Sequence, residues 1–275
     1  MTASTKNAGR GMADGASLLN LREASNSPPR PCPHNASITC SSCRLNELCL
    51  PIGLEKTEIR QLEDIVQRKR PMKKGDYLYR QGDAFNSVYA VRSGSFKSDV
   101  LGQDGRGRVI GFFLPGEIVG MDGIASNKYT TSTVALEHAS VCEIPFSHLE
   151  KLSQKLPSMQ HHFFAIMGNE IAKEQHVHTL LSSYSAEERI CSFLLSLSSR
   201  FSRVALAPDK FLLPMTRGDI GEFLGLTLET VSRVFTALQR KGVITVNHKE
   251  VTIEKFDGLP ALVSGSLHFF RPAGT

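Results

Sequence analysis

No run of roughly eighteen apolar residues occurs anywhere in this 275-residue chain, which excludes a helix that crosses a membrane. The first twenty residues, "MTASTKNAGRGMADGASLLN", lack a basic start followed by an apolar core. A secretory leader is therefore not expected, and the cytoplasm is the expected compartment. Cysteine is scarce, with six in the whole chain. In a reducing compartment so few thiols make poor material for a disulfide framework, and metal or redox chemistry is the better use of them. A nucleophile elbow, a Walker loop and a dinucleotide fingerprint are also missing, so the chain does not read as an enzyme. One glycine-rich stretch, "GQDGRGRVIG" at 102–111, opens no helix and reads as an exposed hairpin loop.

What is present is the composition of a globular protein, with 41% apolar and 21% charged residues and a net charge of +5. The length suits two modest domains with a real core. A mild positive excess fits nucleic-acid binding, although charge alone is a weak signal.

The pattern changes along the chain. Residues 1–31 are rich in Ser, Ala, Asn, Gly and Pro and predict a disordered tail. A cysteine-rich segment follows at 32–50. Ile59, Leu62, Ile65 and Val66 then recur at helical spacing, a helix that Pro71 should end. From Lys74 to Pro145, glycines punctuate short runs rich in Val, Ile, Phe and Tyr, which predicts a small barrel or jelly roll within a domain spanning 51–156. "PSMQHHFFAIMGNEIAKEQHVHTLLSSYS" then reads as one long amphipathic helix over 157–184. A helix of that length between two domains suits packing against its own copy, through Met167, Ile171 and Glu174, or covering the β-domain. Residues 185–258 read as three helices and a hairpin, and 259–275 as a C-terminal tail. The expected fold class is therefore α+β, with a β jelly roll, a dimerisation helix and a winged helix-turn-helix.

"MTRGDIGEFLGLTLETVSRVFTALQRKGVI" carries the strongest local signal. Thr216 and Asp219 make a capping box, Gly225 suits a sharp turn, and Thr227 can cap the next helix. That helix buries Val231, Val234, Phe235 and Leu238 at i, i+3, i+4, i+7. Its other face carries Glu229, Ser232, Arg233, Thr236 and Arg240. Arg forks to guanine O6 and N7, Glu accepts from cytosine N4, and Ser pairs with either base type, so this is the face of a recognition helix for double-stranded DNA. The residues expected at the DNA are Thr216, Arg217, Thr227, Glu229, Thr230, Ser232 and Arg233.

"CSSCRLNELC" holds Cys40, Cys43 and Cys49 at C-x2-C-x5-C spacing. That spacing argues for a thiolate metal site, which iron–sulfur clusters and zinc both use. Cys32 reads as a spare tail thiol, His34 as solvated, and Cys191, beside Phe193 and Leu194, as a small core residue.

The order of these parts, with "CSSCRLNELCLP", "YAVRSG", "VCEIPF", "MTRGDIGEFLGLT" and "ETVSR", resembles the CRP/FNR regulators over residues 32–260, and among them the FNR-type oxygen sensors. The resemblance implies a [4Fe–4S] cluster on Cys40, Cys43, Cys49 and Cys142. It implies that cluster integrity controls a homodimer in which Glu174 carboxylates repel, and that the dimer binds a two-fold symmetric promoter site. A contact between the 102–111 loop and RNA polymerase is also implied. Arg44 departs from the family pattern beside the second cysteine. A structural zinc is one alternative. A small-molecule signal is another, but Tyr129 and Thr130 stand where cyclic-nucleotide members of the family carry a phosphate clamp; "PGEI" does keep their Gly116 and Glu117.

Overall fold

A computed structural model describes residues 39–256 and 259, apart from 47, 103, 104 and 106. The expected tails at 1–31 and 259–275, with Cys32 and His34, lie outside the described residues except at Leu259, as do Gln103, Asp104 and Arg106 of the glycine-rich loop.

Helix α1 (Lys56–Ile65) opens where Glu58 accepts the Glu55 N–H at 2.8 Å and buries Leu62. It stops well before Pro71. Val66 turns extended, and β1 (Gln67–Arg68) pairs with the strand Ser140–Pro145, Arg68 opposite Cys142. Strand pairing therefore claims residues whose spacing still read as helix.

The glycine-punctuated runs become two antiparallel sheets. β2 (Tyr77–Tyr79), β3 (Ser87–Ser93), β4 (Phe96–Leu101), β5 (Gly107–Phe113), β6 (Ile118–Val119), β7 (Ser132–Ala135) and β8 (Ser140–Pro145) follow in order. One sheet runs β1-β8-β3-β6 and the other β2-β7-β4-β5. Val88, Phe96, Val141 and Ile144 fill the space between them. Two short helices complete this part. α1 was foreseen; α2 (Phe146–Lys155), which buries Leu149 and Leu152, was not, because its pattern is too short to stand out beside the strands.

α3 (Pro157–Ser183) is the long helix, 27 residues with Pro157 in its first turn. Met159, Phe163 and Leu180 are buried, yet Phe164 and Ile171 each remain 59% exposed. The helix thus covers the β-domain with one face and leaves an apolar stripe open. α4 (Ala186–Arg203) begins at a capping box between Ser185 and Glu188. Arg189 then donates to the carbonyls of Leu181, Tyr184 and Leu224 at 2.8–3.0 Å, which ties helix C-termini together.

β9 (Lys210–Leu212), α5 (Arg217–Leu224), α6 (Leu228–Arg240), β10 (Ile244–Asn247) and β11 (Glu250–Ile253) complete the described chain. β9 was not expected from the sequence; it adds a third strand to the wing, in the order β10-β11-β9. The winged part does not hang free of the β-sandwich. Phe112 of β5 packs against Phe193 of α4 and Phe223 of α5, with ring centroids 5.9 and 5.4 Å away. Val109, Phe112, Leu114 and Leu136 belong to the same core as α4, α5 and α6. Among the described residues, no helix is long and apolar enough to cross a membrane.

Candidate cysteine centre and nucleic-acid interface

Cys40, Cys43 and Cys49 sit on a loop of successive turns, in which the Cys43 N–H donates to the Cys40 carbonyl and the Cys49 N–H to that of Leu45. Three ties fix this loop. The Ser41 N–H and hydroxyl both donate to Glu63 of α1, at 2.8 and 3.0 Å. His162 of α3 reaches the Cys49 carbonyl at 3.3 Å. Leu50, 2% exposed, plugs the loop into the core.

Cys142 comes from the middle of β8, between Arg68 on β1 and Ala90 on β3. All four thiols line one cavity, whose other walls are chiefly Leu45, Leu50, Leu62, Val66, Val91 and Ile144. Burial pushes the Cys40 thiol up to about 12, and the fields of Cys142, Glu63 and Cys43 add to it. Burial likewise raises Cys49 to about 12 and raises Cys142, the latter against the opposing fields of Arg92 and Arg68. Such thiols stay protonated unless a cation replaces their protons, which suits a site made to be neutralised by metal.

Zinc and an iron–sulfur cluster make different demands on four thiols. A tetrahedral zinc with bonds of about 2.3 Å draws its four sulfurs to within about 4 Å of one another. Among the described residues, no group of three or more His, Cys, Asp or Glu stands ready-made to hold a metal ion of either kind. A four-iron cluster instead takes one thiolate at each corner and holds the sulfurs further apart. The donor set of four thiols in an apolar wall fits the cluster.

Arg44 is exposed, whereas the fields of Arg68 and Arg92 reach Cys142. Sequence reasoning singled out Arg44 because it adjoins a ligand candidate. The other two cations come from strand neighbours, which only the register reveals. Cys191 is fully buried in α4, apart from this cavity, as a core residue should be.

At the other end, the helix pair is built by its own side chains. Thr216 and Asp219 bond reciprocally, the Thr216 N–H and hydroxyl donating at 2.8 and 2.6 Å and the Asp219 N–H returning at 3.1 Å. Lys97 of β4 closes on the same carboxylate at 2.5 Å. Burial acts to raise Asp219, but these partners hold its carboxyl below the usual range. Gly225 ends α5 in the left-handed region, at φ 63°. Gly221 must also be glycine, since a Cβ there would meet the Leu226 carbonyl oxygen at 2.6 Å. Thr227 accepts the Thr230 N–H at 3.2 Å and starts α6.

α6 buries Val231, Phe235 and Leu238. Glu229, Ser232, Arg233, Thr236 and Arg240 are exposed, and Thr230 is half-buried. Ser232, Arg233, Thr236 and Arg240 line one open concavity. The Glu229 carboxyl lies below the ordinary range because its own N–H and the Thr227 hydroxyl bond to it. Arg217 departs from expectation. Its guanidinium lies 3.3 Å over the Phe235 ring, on the inner side of α6, and burial lowers its pKa to about 10. Stacking on an aromatic face therefore takes this side chain away from the row formed by Glu229, Ser232 and Arg233.

On α3, Met167 is half-buried, and Ile171 and Glu174 are exposed beside each other. Partial desolvation, then the nearby Glu170, raises the Glu174 carboxyl. The corner where a nucleotide clamp would sit is filled instead. Tyr129, 3% exposed, stacks on Tyr79 at 3.8 Å and donates to the Ser87 carbonyl at 2.6 Å. Glu117 is already bonded to Arg200, at 2.8 and 2.6 Å.

Comparison with known proteins agrees with this architecture. A cyclic nucleotide-binding domain matches residues 69–155, and a Crp-like helix-turn-helix domain matches residues 188–262. The chain is 46% identical over 228 residues to the transcriptional activator protein FnrA of Stutzerimonas stutzeri, spanning 83% of this chain and 93% of that one. It is 42% identical over 226 residues to the fumarate and nitrate reduction regulatory protein of Escherichia coli (strain K12), spanning 82% and 90%. The solved structure of FixK2 from Bradyrhizobium japonicum superposes with a TM-score of 0.68 at 27% identity, over 74% of this chain and 99% of that one. The chain belongs to the CRP/FNR family of DNA-binding transcription regulators.

Proposed function

We propose that this regulator responds to oxygen through a [4Fe–4S] cluster held by Cys40, Cys43, Cys49 and Cys142. One observation carries the reading: a loop and a distant strand bring four thiols to one apolar cavity. When bound, the cluster supplies an oxygen-labile covalent link between that loop and β8. The chain's own residues do the rest. Leu50 and Ser41 seat the loop, Glu63 fixes it to α1, and His162 connects it to α3.

The proposed readout is a homodimer along α3, through Met167, Ile171 and Glu174. The exposed apolar stripe supports that role, because Phe164 and Ile171 have little to gain from water. Two Glu174 carboxylates facing across it weaken the dimer, so that a modest change at the cysteine loop decides its stability. The dimer presents two α6 helices to a palindromic promoter site in double-stranded DNA. Thr216, Thr227, Glu229, Thr230, Ser232 and Arg233 are proposed to face it, with Arg217 acting from behind. In this reading residues 32–50 carry the cluster, 51–156 the sensor scaffold, 157–184 the dimer helix and 185–258 the DNA-binding domain. RNA polymerase is the proposed further partner, at the loop of residues 102–111.

The test is anaerobic purification, with iron and acid-labile sulfide measured before and after air. About four of each per chain is expected, with bleaching and loss of DNA binding on exposure. Zinc without sulfide, indifferent to air, would overturn the cluster and leave the DNA-binding role standing. Glu174→Ala is expected to strengthen the cluster-free dimer about two- to fivefold in sedimentation equilibrium; unchanged association would place that carboxylate off the interface.

A further inference from the structure

The Gly116–Glu117 turn lies between the cysteine cavity and the DNA-binding domain, touching both. On one side, Leu48 of the cysteine loop lies over Gly116. A Cβ on that glycine would come 3.3 Å from the Leu48 Cβ. Val91, a wall of the cysteine cavity, bonds the turn at both ends. Its carbonyl accepts the Gly116 N–H and its N–H donates to the Glu117 carbonyl, each at 2.9 Å.

On the other side, Glu117 holds Arg200 of α4. The guanidinium forks onto the carboxylate at 2.8 and 2.6 Å and also donates to the Phe112 carbonyl at 2.6 Å. The Leu114 N–H completes the carboxylate's set at 2.9 Å. Both side chains are largely buried, with 17% and 13% of their surface left. Burial alone would push the Glu117 carboxyl up. Arg200, then Lys173 of α3, reverse that and hold it down to about 2. The Glu117 carboxylate therefore stays ionised at any ordinary pH. A buried fork of this kind contributes geometry more than net stability. It fixes where α4 sits, and α4 shares its core with α5 and α6.

We propose that Glu117 and Arg200 are a positioning pair that couples the cysteine cavity to the seating of the recognition helix within one chain. The route runs from Leu48 and Val91 through the Gly116–Glu117 turn to Arg200, and it does not pass through the dimer helix. It rests on the cysteine centre proposed above only for the nature of the signal. A loop that shifts when its thiols lose their partner moves the turn, and the turn carries α4 with it. The carboxylate is thereby committed to a protein cation in place of a ligand.

Hydrogen exchange of α5 and α6 amides in the metal-free chain tests the coupling without any cluster. Leu48→Ala is expected to speed that exchange about threefold or more. The acceleration should vanish in the Glu117→Gln, Arg200→Met double variant, which removes both charges and so leaves none buried alone. Arg200→Lys, which keeps the charge but not the fork, should retain only part of it. Equal acceleration in both backgrounds, or none in either, would overturn the coupling. In anaerobic protein the same amides should respond to cluster loss in the parent and not in the double variant. Iron and sulfide content, read on the same samples, reports separately on whether a cluster is there at all, and the metal-free measurements decide the coupling in either case.

Discussion

Cys142→Ser is expected to yield a folded chain that retains less than about a tenth of the parent's iron and acid-labile sulfide. The fold should survive because Cys142 is half-buried at mid-strand and its backbone pairs with Ala90 and Arg68 irrespective of side chain. Serine is nearly the same size, and its hydroxyl tolerates the exposed part of the site. What it lacks is a sulfur that can bind iron as a thiolate. The remaining three thiols all belong to one loop of ten residues, Cys40 to Cys49, so a cluster has no ligand left on the sandwich. Thermal unfolding of the metal-free forms should agree within a few degrees, because a change below about 0.5 kcal/mol moves the midpoint little. The anaerobic variant should fail to shift a palindromic promoter fragment that the parent binds. Cys191→Ser is the opposite control. It should keep full iron and sulfide but lose about 1–3 kcal/mol of stability, since it buries an extra hydroxyl in a fully enclosed position. Parental iron and sulfide in Cys142→Ser would remove this residue from the ligand set.

The parts that were legible in the sequence are those whose signals are local. The reciprocal Thr216–Asp219 bonds, the Gly225 turn and the Val231, Val234, Phe235, Leu238 stripe are each written within a few residues, and each appears in the structure as read, save that Val234 is only half-buried. The compact cysteine loop is local in the same sense. What escaped reading depends on partners far along the chain. Arg68 arrives beside Cys142 because α1 ends early and β1 joins β8, a choice that helical spacing through Val66 argued against. β9 is three residues long and is defined only by its partner β11. Tyr129 marked an altered nucleotide corner, but not that its ring would fill the space by stacking on Tyr79. Lys97 with Asp219, and Glu117 with Arg200, join residues about a hundred positions apart, and no periodicity announces such pairs. Arg217 shows the same limit in reverse. It stands at the right place in the motif, yet Phe235 takes its guanidinium.

Arg233→Ala is expected to weaken binding to a palindromic site by about 1–3 kcal/mol in each half-site, or about 2–6 kcal/mol for a dimer whose two sites are far enough apart to add. Arg233 is exposed on the first turns of α6, one residue from Ser232 and four from Glu229, and it lines the open concavity of that helix. The guanidinium can therefore present its fork to a guanine edge without first breaking a buried contact. The loss should be selective. Competition among promoter variants at fixed salt should show that one symmetric pair of base positions no longer matters, while the others discriminate as before. Arg240→Ala offers the contrast. Arg240 is exposed at the far end of the same helix, where a cation meets phosphate more readily than bases. Its loss should weaken all sequences alike and reduce the salt dependence of binding by about one phosphate contact per half-site. If Arg233→Ala behaves as Arg240→Ala does, then Arg233 only grips the backbone. Base readout would then fall to Glu229 and Ser232, whose single acceptors and donors discriminate less than a fork does.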